Sequence, residues 1–197
     1  MKIKIIAFLL SLNLIGCVDV NTDLEKNVVN LAYDSCKEYL SNSLVSPSMT
    51  LNSVSVHGTN ASIKEVYDAF GSTIISNGKI DDYELEEKIR FRVLAVNIIY
   101  SSENSFGVNR KGSVTCRFTY KIGESSPNPS SLTLTMFRTG MDAIYPNILI
   151  NDFDKVSNIF LNREIDSISS NTKYNYNKED QNFLNDLIKY HKASNIY

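Results

Sequence analysis

Ile89-Arg90-Phe91-Arg92-Val93-Leu94-Ala95-Val96-Asn97-Ile98-Ile99-Tyr100 is the stretch on which the fold turns. It is rich in β-branched and aromatic residues and holds neither Gly nor Pro, so it reads as a strand. Residues 101–107 read as a turn, and residues 108–122 as a second strand with a kink at Gly112. A turn centred between Ser105 and Phe106 sets Val93 opposite Phe118, Phe91 opposite Tyr120 and Ala95 opposite Cys116. Side chains alternate along a strand, so these six share one apolar side. The other side collects Lys88, Arg90, Arg92, Arg117 and Lys121, with Arg90 opposite Lys121. Like charges opposed across strands repel. Two readings follow: a solvated face neutralised by Glu84, Glu86 or Glu87, or a landing site for an anionic partner such as lipid headgroups, an acidic glycan or an acidic protein loop. A β-bulge near Gly112 would shift this register.

Upstream, Thr22-Asp23-Leu24-Glu25 is a candidate capping box. Leu24, Val28, Leu31, Ala32, Cys36, Tyr39 and Leu40 then recur at helical spacing as far as about Ser43, and Ser46-Pro47-Ser48 stops the helix. Its apolar side carries Cys36, and the hairpin's apolar side carries Cys116, so this helix is expected across the hairpin's inner face. Residues 51–56 are β-prone, residues 62–70 helical, and residues 81–87 an acidic stretch. Residues 131–138 alternate with Leu132, Leu134 and Met136 on one side. Residues 152–161 look helical. A Ser/Asn-rich linker follows, and Asn177-Lys178-Glu179-Asp180 caps an amphipathic last helix bearing Phe183, Leu184, Leu187 and Ile188. The expected class is α+β: an N-terminal helix on a small antiparallel sheet of three or four strands, with a helical C-terminal extension. The units expected are 1–16, 17–22, 23–140 and 141–197.

The whole chain has 197 residues, net charge −2, 43% hydrophobic and 21% charged residues. That balance fits a globular protein and excludes collagen, global disorder and a multi-pass membrane protein. It offers no bulk attraction to nucleic acid. Three cysteines and two histidines leave little for a zinc site.

Met1-Lys2-Ile3-Lys4 opens with two cations, and residues 5–15 are apolar apart from Ser11 and Asn13. As a helix this run is about 16 Å long, half a bilayer's hydrocarbon, so it reads as the core of a signal peptide. Leu14-Ile15-Gly16-Cys17 resembles the bacterial lipobox. The resemblance implies cleavage before Cys17 and acylation of its sulfur, and several chains anchor firmly where one does not. Val18 rather than Asp follows the cysteine, which by the same resemblance favours the periplasmic leaflet of the outer membrane. The alternative is a secreted protein with Cys17 in a disulfide.

If Cys17 carries lipid, Cys36 and Cys116 remain, and an oxidising compartment favours a bond between them. In the chain-entropy model a loop of about 80 residues stabilises by roughly 4.5 kcal/mol. The competing reading is a redox-active thiol, although no Cys-x-x-Cys is present.

Cys36, Leu44-Val45-Ser46-Pro47-Ser48, Asn104-Ser105-Phe106-Gly107, Lys111 and Thr115-Cys116 together resemble a widespread, largely uncharacterised group of small exported bacterial proteins. In that group a cysteine-bearing helix, a Leu-x-Ser-Pro-Ser break, a strand pair joined by Asn-Ser-Phe-Gly and a second cysteine follow in this order. The resemblance spans roughly residues 30–120. It implies a helix packed on a small antiparallel sheet and stapled by Cys36–Cys116, with residues 58–87 as an insertion and the C-terminal part beyond the usual unit. It supplies no activity.

Chemical motifs are sparse. Asn77-Gly78-Lys79-Ile80-Asp81-Asp82-Tyr83-Glu84-Leu85 is spaced like the second half of an EF-hand loop, but Thr73 and Ile75 stand where carboxylates belong, so an acidic turn is expected. There is no Gly-x-Ser-x-Gly and no phosphate-binding Gly-rich loop, and His57 and His191 read as surface residues. No catalytic residue, metal ligand or cofactor is assigned. Tyr174 and Tyr176 are the tyrosines expected to be exposed, while Tyr100, Tyr120 and Tyr145 are expected in core or rim. The expected role is a non-enzymatic binding module of the bacterial envelope, held to the membrane by its lipid and engaging an envelope protein or an anionic glycan or lipid. A purely structural envelope protein is the alternative, and a hydrolase ranks below both.

Overall fold

The long hairpin consists of β4 (Arg90–Glu103) and β5 (Asn109–Ile122). These strands pair without interruption from Arg90↔Ile122 to Glu103↔Asn109. The register differs by one residue from the expected one, and the turn explains why. Asn104 and Gly107 occupy the first and fourth positions of a type I turn, in which Gly107 N donates to Asn104 O at 3.0 Å. Gly107 sits at φ 73°, and Asn104 N donates to Val108 O at 3.0 Å. The loop therefore holds three residues, and the ribbon is symmetric about Phe106 rather than about the point between Ser105 and Phe106. A one-residue slip exchanges the faces of a strand. Leu94, Val96 and Ile98 thus join Cys116 and Phe118 beneath the first helix, while Phe91, Val93 and Ala95 turn to the opposite face.

This computed structural model describes residues 20–44, 48–125, 129–151, 165–169 and 175–194. Residues 152–161, read from sequence as helical, lie outside these, as do Cys17 and Tyr174. Helix α1 (Val20–Ser43) precedes β1 (Met49–Thr59), which pairs antiparallel with β4. A bulge between Leu51 and Ser53 in β1 keeps Leu51 on the same side as Val54 and Val56. On the hairpin's other flank, β6 (Leu132–Thr139) pairs with β5. Two short strands, β7 (Asp142–Ile144) and β8 (Ile148–Ile150), both pair with β6. Strand β9 (Ser167–Ser169) runs parallel to β1. Asp166 ties it there: Val54 N donates to Asp166 Oδ2 at 2.7 Å, and Asp166 N donates to Val54 O at 2.9 Å.

The result is a seven-stranded, mostly antiparallel sheet, which corrects the expected small sheet of three or four strands. Three of its strands come from residues 142–169, so the sheet runs straight across the boundary expected at residue 140. The expected helical extension is likewise corrected: only α4 (Lys178–Ser194) is helical among the described residues beyond 140. Three-residue strands are too short to show an alternation that a sequence reader can count.

On one face, α1 buries Val28, Ala32, Tyr33, Cys36 and Leu40 against β1, β4, β5 and β6. Cys36 and Cys116 are disulfide-bonded there with Cα atoms 5.9 Å apart, and both are fully buried. On the other face, part of the sheet is covered by α2 (Ile63–Ile74) and α4. Ser62 caps α2 by accepting from Glu65 N at 3.2 Å, and Val66, Phe70 and Ile74 recur toward Phe91 and Leu187. Between α2 and β4 the chain makes the small hairpin of β2 (Ile75–Ser76) and β3 (Lys79–Ile80), then α3 (Asp82–Glu86). Asn77 and Gly78 both have positive φ, as a two-residue type I′ turn requires. The stretch spaced like half an EF-hand is thus a tight hairpin followed by a helix capped by Asp81, which accepts from Tyr83 N at 3.0 Å.

Candidate functional site

The five basic residues expected on one face do not form one. Arg90 and Arg92 lie opposite Ile122 and Tyr120, whereas Arg117 and Lys121 lie opposite Ala95 and Phe91 on the other strand parity. Four of the five meet carboxylates of this chain. Arg92 forks onto Asp180 at 2.7 and 3.3 Å, Arg117 onto Glu65 at 3.1 and 2.9 Å, Lys121 pairs with Glu84, and Lys88 approaches Glu124 at 3.4 Å. Arg90 is buried and donates to Lys88 O at 3.2 Å. Its pKa is lowered by burial first and by the neighbouring Arg92 charge second. Arg117, Lys121 and Arg92 thereby seat α2, α3 and α4 on the sheet.

The Glu65–Arg117 pair is the centre of a small buried network. Thr135 Oγ1 donates to Glu65 Oε1, and Thr119 and Thr135 hydroxyls meet at 3.2 Å. Burial pushes the Glu65 carboxyl up, but hydrogen bonds from Arg117 and Thr135, and the Arg117 charge, outweigh it and hold the group below its ordinary value. The histidines are both half-buried: His57 Nδ1 lies 3.3 Å from Asn97 Nδ2, and His191 Nδ1 lies 3.1 Å from Tyr67 Oη. Among the described residues no group of three or more His, Cys, Asp or Glu side chains is placed to hold a metal, and no helix is long and apolar enough to cross a membrane.

The surface that stands out is the β7–β8 edge. Met141 is fully exposed, Tyr145 67%, Leu149 57%, Ile144 50% and Ile148 41%. Half of the large apolar side chains exposed among the described residues sit in this one segment. Gly140 at φ 59° opens the tight β6–β7 turn that thrusts Met141 outward, and Asn147 at φ 47° turns the chain back into β8. Both strands pair with β6 alone, so on their outer side the backbone has no strand neighbour among the described residues. Sheet edges are usually guarded by lysine or other charges. Between Gly140 and Asn151 the only charged residue is Asp142.

Behind this edge lies a groove of about 540 Å³ between α1 and β8. Leu134, Ile148 and Ile150 line it from the sheet, and Asp34, Glu38 and Tyr39 from α1. An apolar floor with acidic side chains on one wall suits a chain segment with apolar side chains on one side and cations on the other.

Sequence reading misses this edge. Tyr145, expected in core or rim, is exposed, while Tyr120 is buried and Tyr176 half-buried. The available signal is the density of Met, Ile, Tyr and Leu over residues 141–150 beside a single charge. No family model, curated protein or solved structure matches the chain.

Proposed function

We propose that this chain is a non-enzymatic interaction module of the bacterial cell envelope, tethered by acyl chains on Cys17, and that it grips an envelope protein with the β7–β8 edge. The observation that carries the contact surface is the apolar sheet edge at residues 141–150, whose single charge is Asp142. Contiguous exposed apolar patches mark contact surfaces, and a free edge can take a partner strand through main-chain hydrogen bonds. The lipobox-like Leu14-Ile15-Gly16-Cys17 supports the tether.

Photocrosslinking in intact envelopes tests the edge. A photoreactive side chain at Tyr145 should yield discrete protein adducts. The same group at Lys189, on the exposed side of α4, serves as the reference. Adding Leu149→Lys should abolish the Tyr145 adducts while changing stability by less than about 0.5 kcal/mol, as expected at an exposed site. Equal adducts from both positions, or adducts indifferent to Leu149→Lys, remove the edge from the proposal and favour a structural envelope protein. The tether has its own measurement. Mass spectrometry of the mature N-terminal peptide should find a diacylglyceryl-modified Cys17, and Cys17→Ser should leave the chain unprocessed. An unmodified Cys17 thiol sinks that half.

A further inference from the structure

We infer that the tip of the β4–β5 hairpin is a second binding site, and that its ligand is the surface of an anionic bilayer. This inference stands apart from the β7–β8 edge. Beyond Val114, β5 has left β6, and beyond Met49 opposite Ser102, β4 has left β1. The hairpin beyond Ser102 and Arg110 is therefore a short two-stranded tip that overhangs the sheet, carried on a stretch of β4 and β5 that β1 alone flanks.

At its extremity Phe106 is 86% exposed, and Val108 52%. The turn holds them there. Asn104 Oδ1 accepts from both Phe106 N and Val108 N at 3.0 Å, and Gly107 takes the positive φ that the turn demands. Lower in the ribbon, Tyr100 lies so close over Gly112 that a Cβ there would meet its ring at 2.6 Å. An aromatic ring laid on a cross-strand glycine stiffens the hairpin where β5 has lost β6 and β1 alone still flanks it.

The charges fit a lipid surface. Arg110 and Lys111 are exposed and form no ion pair among the described residues. They lie opposite Ser102 and Ser101 in the ribbon, so they point to its two faces. One cation therefore stands on each side of an apolar tip. The single acidic residue of the overhang is Glu103. Aromatic and aliphatic side chains enter the headgroup boundary while Arg and Lys meet anionic headgroups above them. A basic pocket for a soluble anion would instead need the cations on one side.

The chain has no tryptophan, which makes Phe106→Trp a single local reporter. Its emission describes the tip whatever holds the rest of the protein to the vesicle, so the outcome does not depend on the Cys17 tether or the sheet edge. The full chain carrying this substitution is mixed with phosphatidylcholine vesicles and with equimolar phosphatidylcholine–phosphatidylglycerol vesicles. With the anionic vesicles the indole emission should move to shorter wavelength and be quenched by brominated acyl chains. With neutral vesicles both effects should be small. Arg110→Gln with Lys111→Gln should raise the lipid concentration needed for half the shift by about thirtyfold, from roughly a fivefold loss per cation at the surface. Three results overturn the inference: no shift with anionic vesicles, a shift indifferent to lipid charge and to the two substitutions, or a shift that grows with protein concentration in the absence of lipid. The last assigns the tip to self-association.

Discussion

Replacing Cys36 and Cys116 together by Ala is expected to cost about 4 kcal/mol of folding stability. The bridge joins residues 80 apart, and in the chain-entropy model closing a loop of that length stabilises by roughly 4.5 kcal/mol. Its position adds to the effect. It is the covalent tie between α1 and the central strand β5, in the middle of the larger core. Without it, α1 keeps the packing of Val28, Ala32, Tyr33 and Leu40 against the sheet but loses its covalent anchor. Denaturant titration of the oxidised protein and of the double variant should show the midpoint fall and the slope rise, because the unfolded chain without the crosslink exposes more surface. Hydrogen exchange should locate the loss of protection first in α1. A difference below about 1 kcal/mol between the two proteins would mean that the unfolded chain is already compact around this contact.

The second large effect is expected at Glu65. Removing its carboxylate by Glu65→Ala leaves Arg117, Thr135 and Thr119 facing an empty position in a mostly buried site. Breaking a buried pair costs about 3–5 kcal/mol. The lower end, about 3 kcal/mol, applies here because the Arg117 side chain keeps 22% of its exposure, against 10% for Glu65. Removing both charges should be far milder. Glu65→Leu with Arg117→Met is expected to recover most of the loss, since no unpaired ion then remains. If the double variant is as unstable as the single one, packing rather than charge holds α2 to the sheet.

The same carboxyl sets an acid dependence. Its folded pKa lies below its ordinary value near 4.5, so the folded state favours the ionised form. The associated stability is fully present above the ordinary value and is lost as pH falls through the lowered folded value. Thermal midpoints taken from about pH 6 downward should therefore drop in the wild-type protein below about pH 4.5. In Glu65→Gln that part of the slope should be missing.

The hairpin was legible in the sequence because strands as long as β4 and β5 carry many β-branched residues, and because its turn is written in Asn104 and Gly107. What failed was the centre of the turn. Placing it between Ser105 and Phe106 instead of on Phe106 moves every side chain of β4 to the wrong face and gathers Arg90, Arg92, Arg117 and Lys121 onto one side, where the register does not put them. Gly three places along from Asn was the available warning, since it favours a type I turn with Gly at its fourth position. The Cys36–Cys116 bridge survives the slip because Cys116 moves with its own strand and Val96 simply replaces Ala95 beside it. Glu84, one of the carboxylates expected to neutralise the cations, does so by pairing with Lys121 from α3. Glu65, which pairs with Arg117 from α2, was not foreseen, because that pairing depends on tertiary placement that no local pattern records. The β7–β8 edge was harder still, because β7 and β8 owe their existence to β6 rather than to any periodicity of their own.

The chain reaches β1 from α1 beside the hairpin end of the sheet, where Met49 lies opposite Ser102. The first turn of α1 consequently lies toward the other end. At about 1.5 Å per residue, α1 alone spans about 36 Å. Under the two proposals made above, an acyl tether on Cys17 and a lipid-seeking hairpin tip, the bilayer would be gripped from two ends of the body. The body would then recline along the membrane instead of standing on it, and its flanks, β7 and β8 among them, would sweep sideways toward other occupants of the same leaflet.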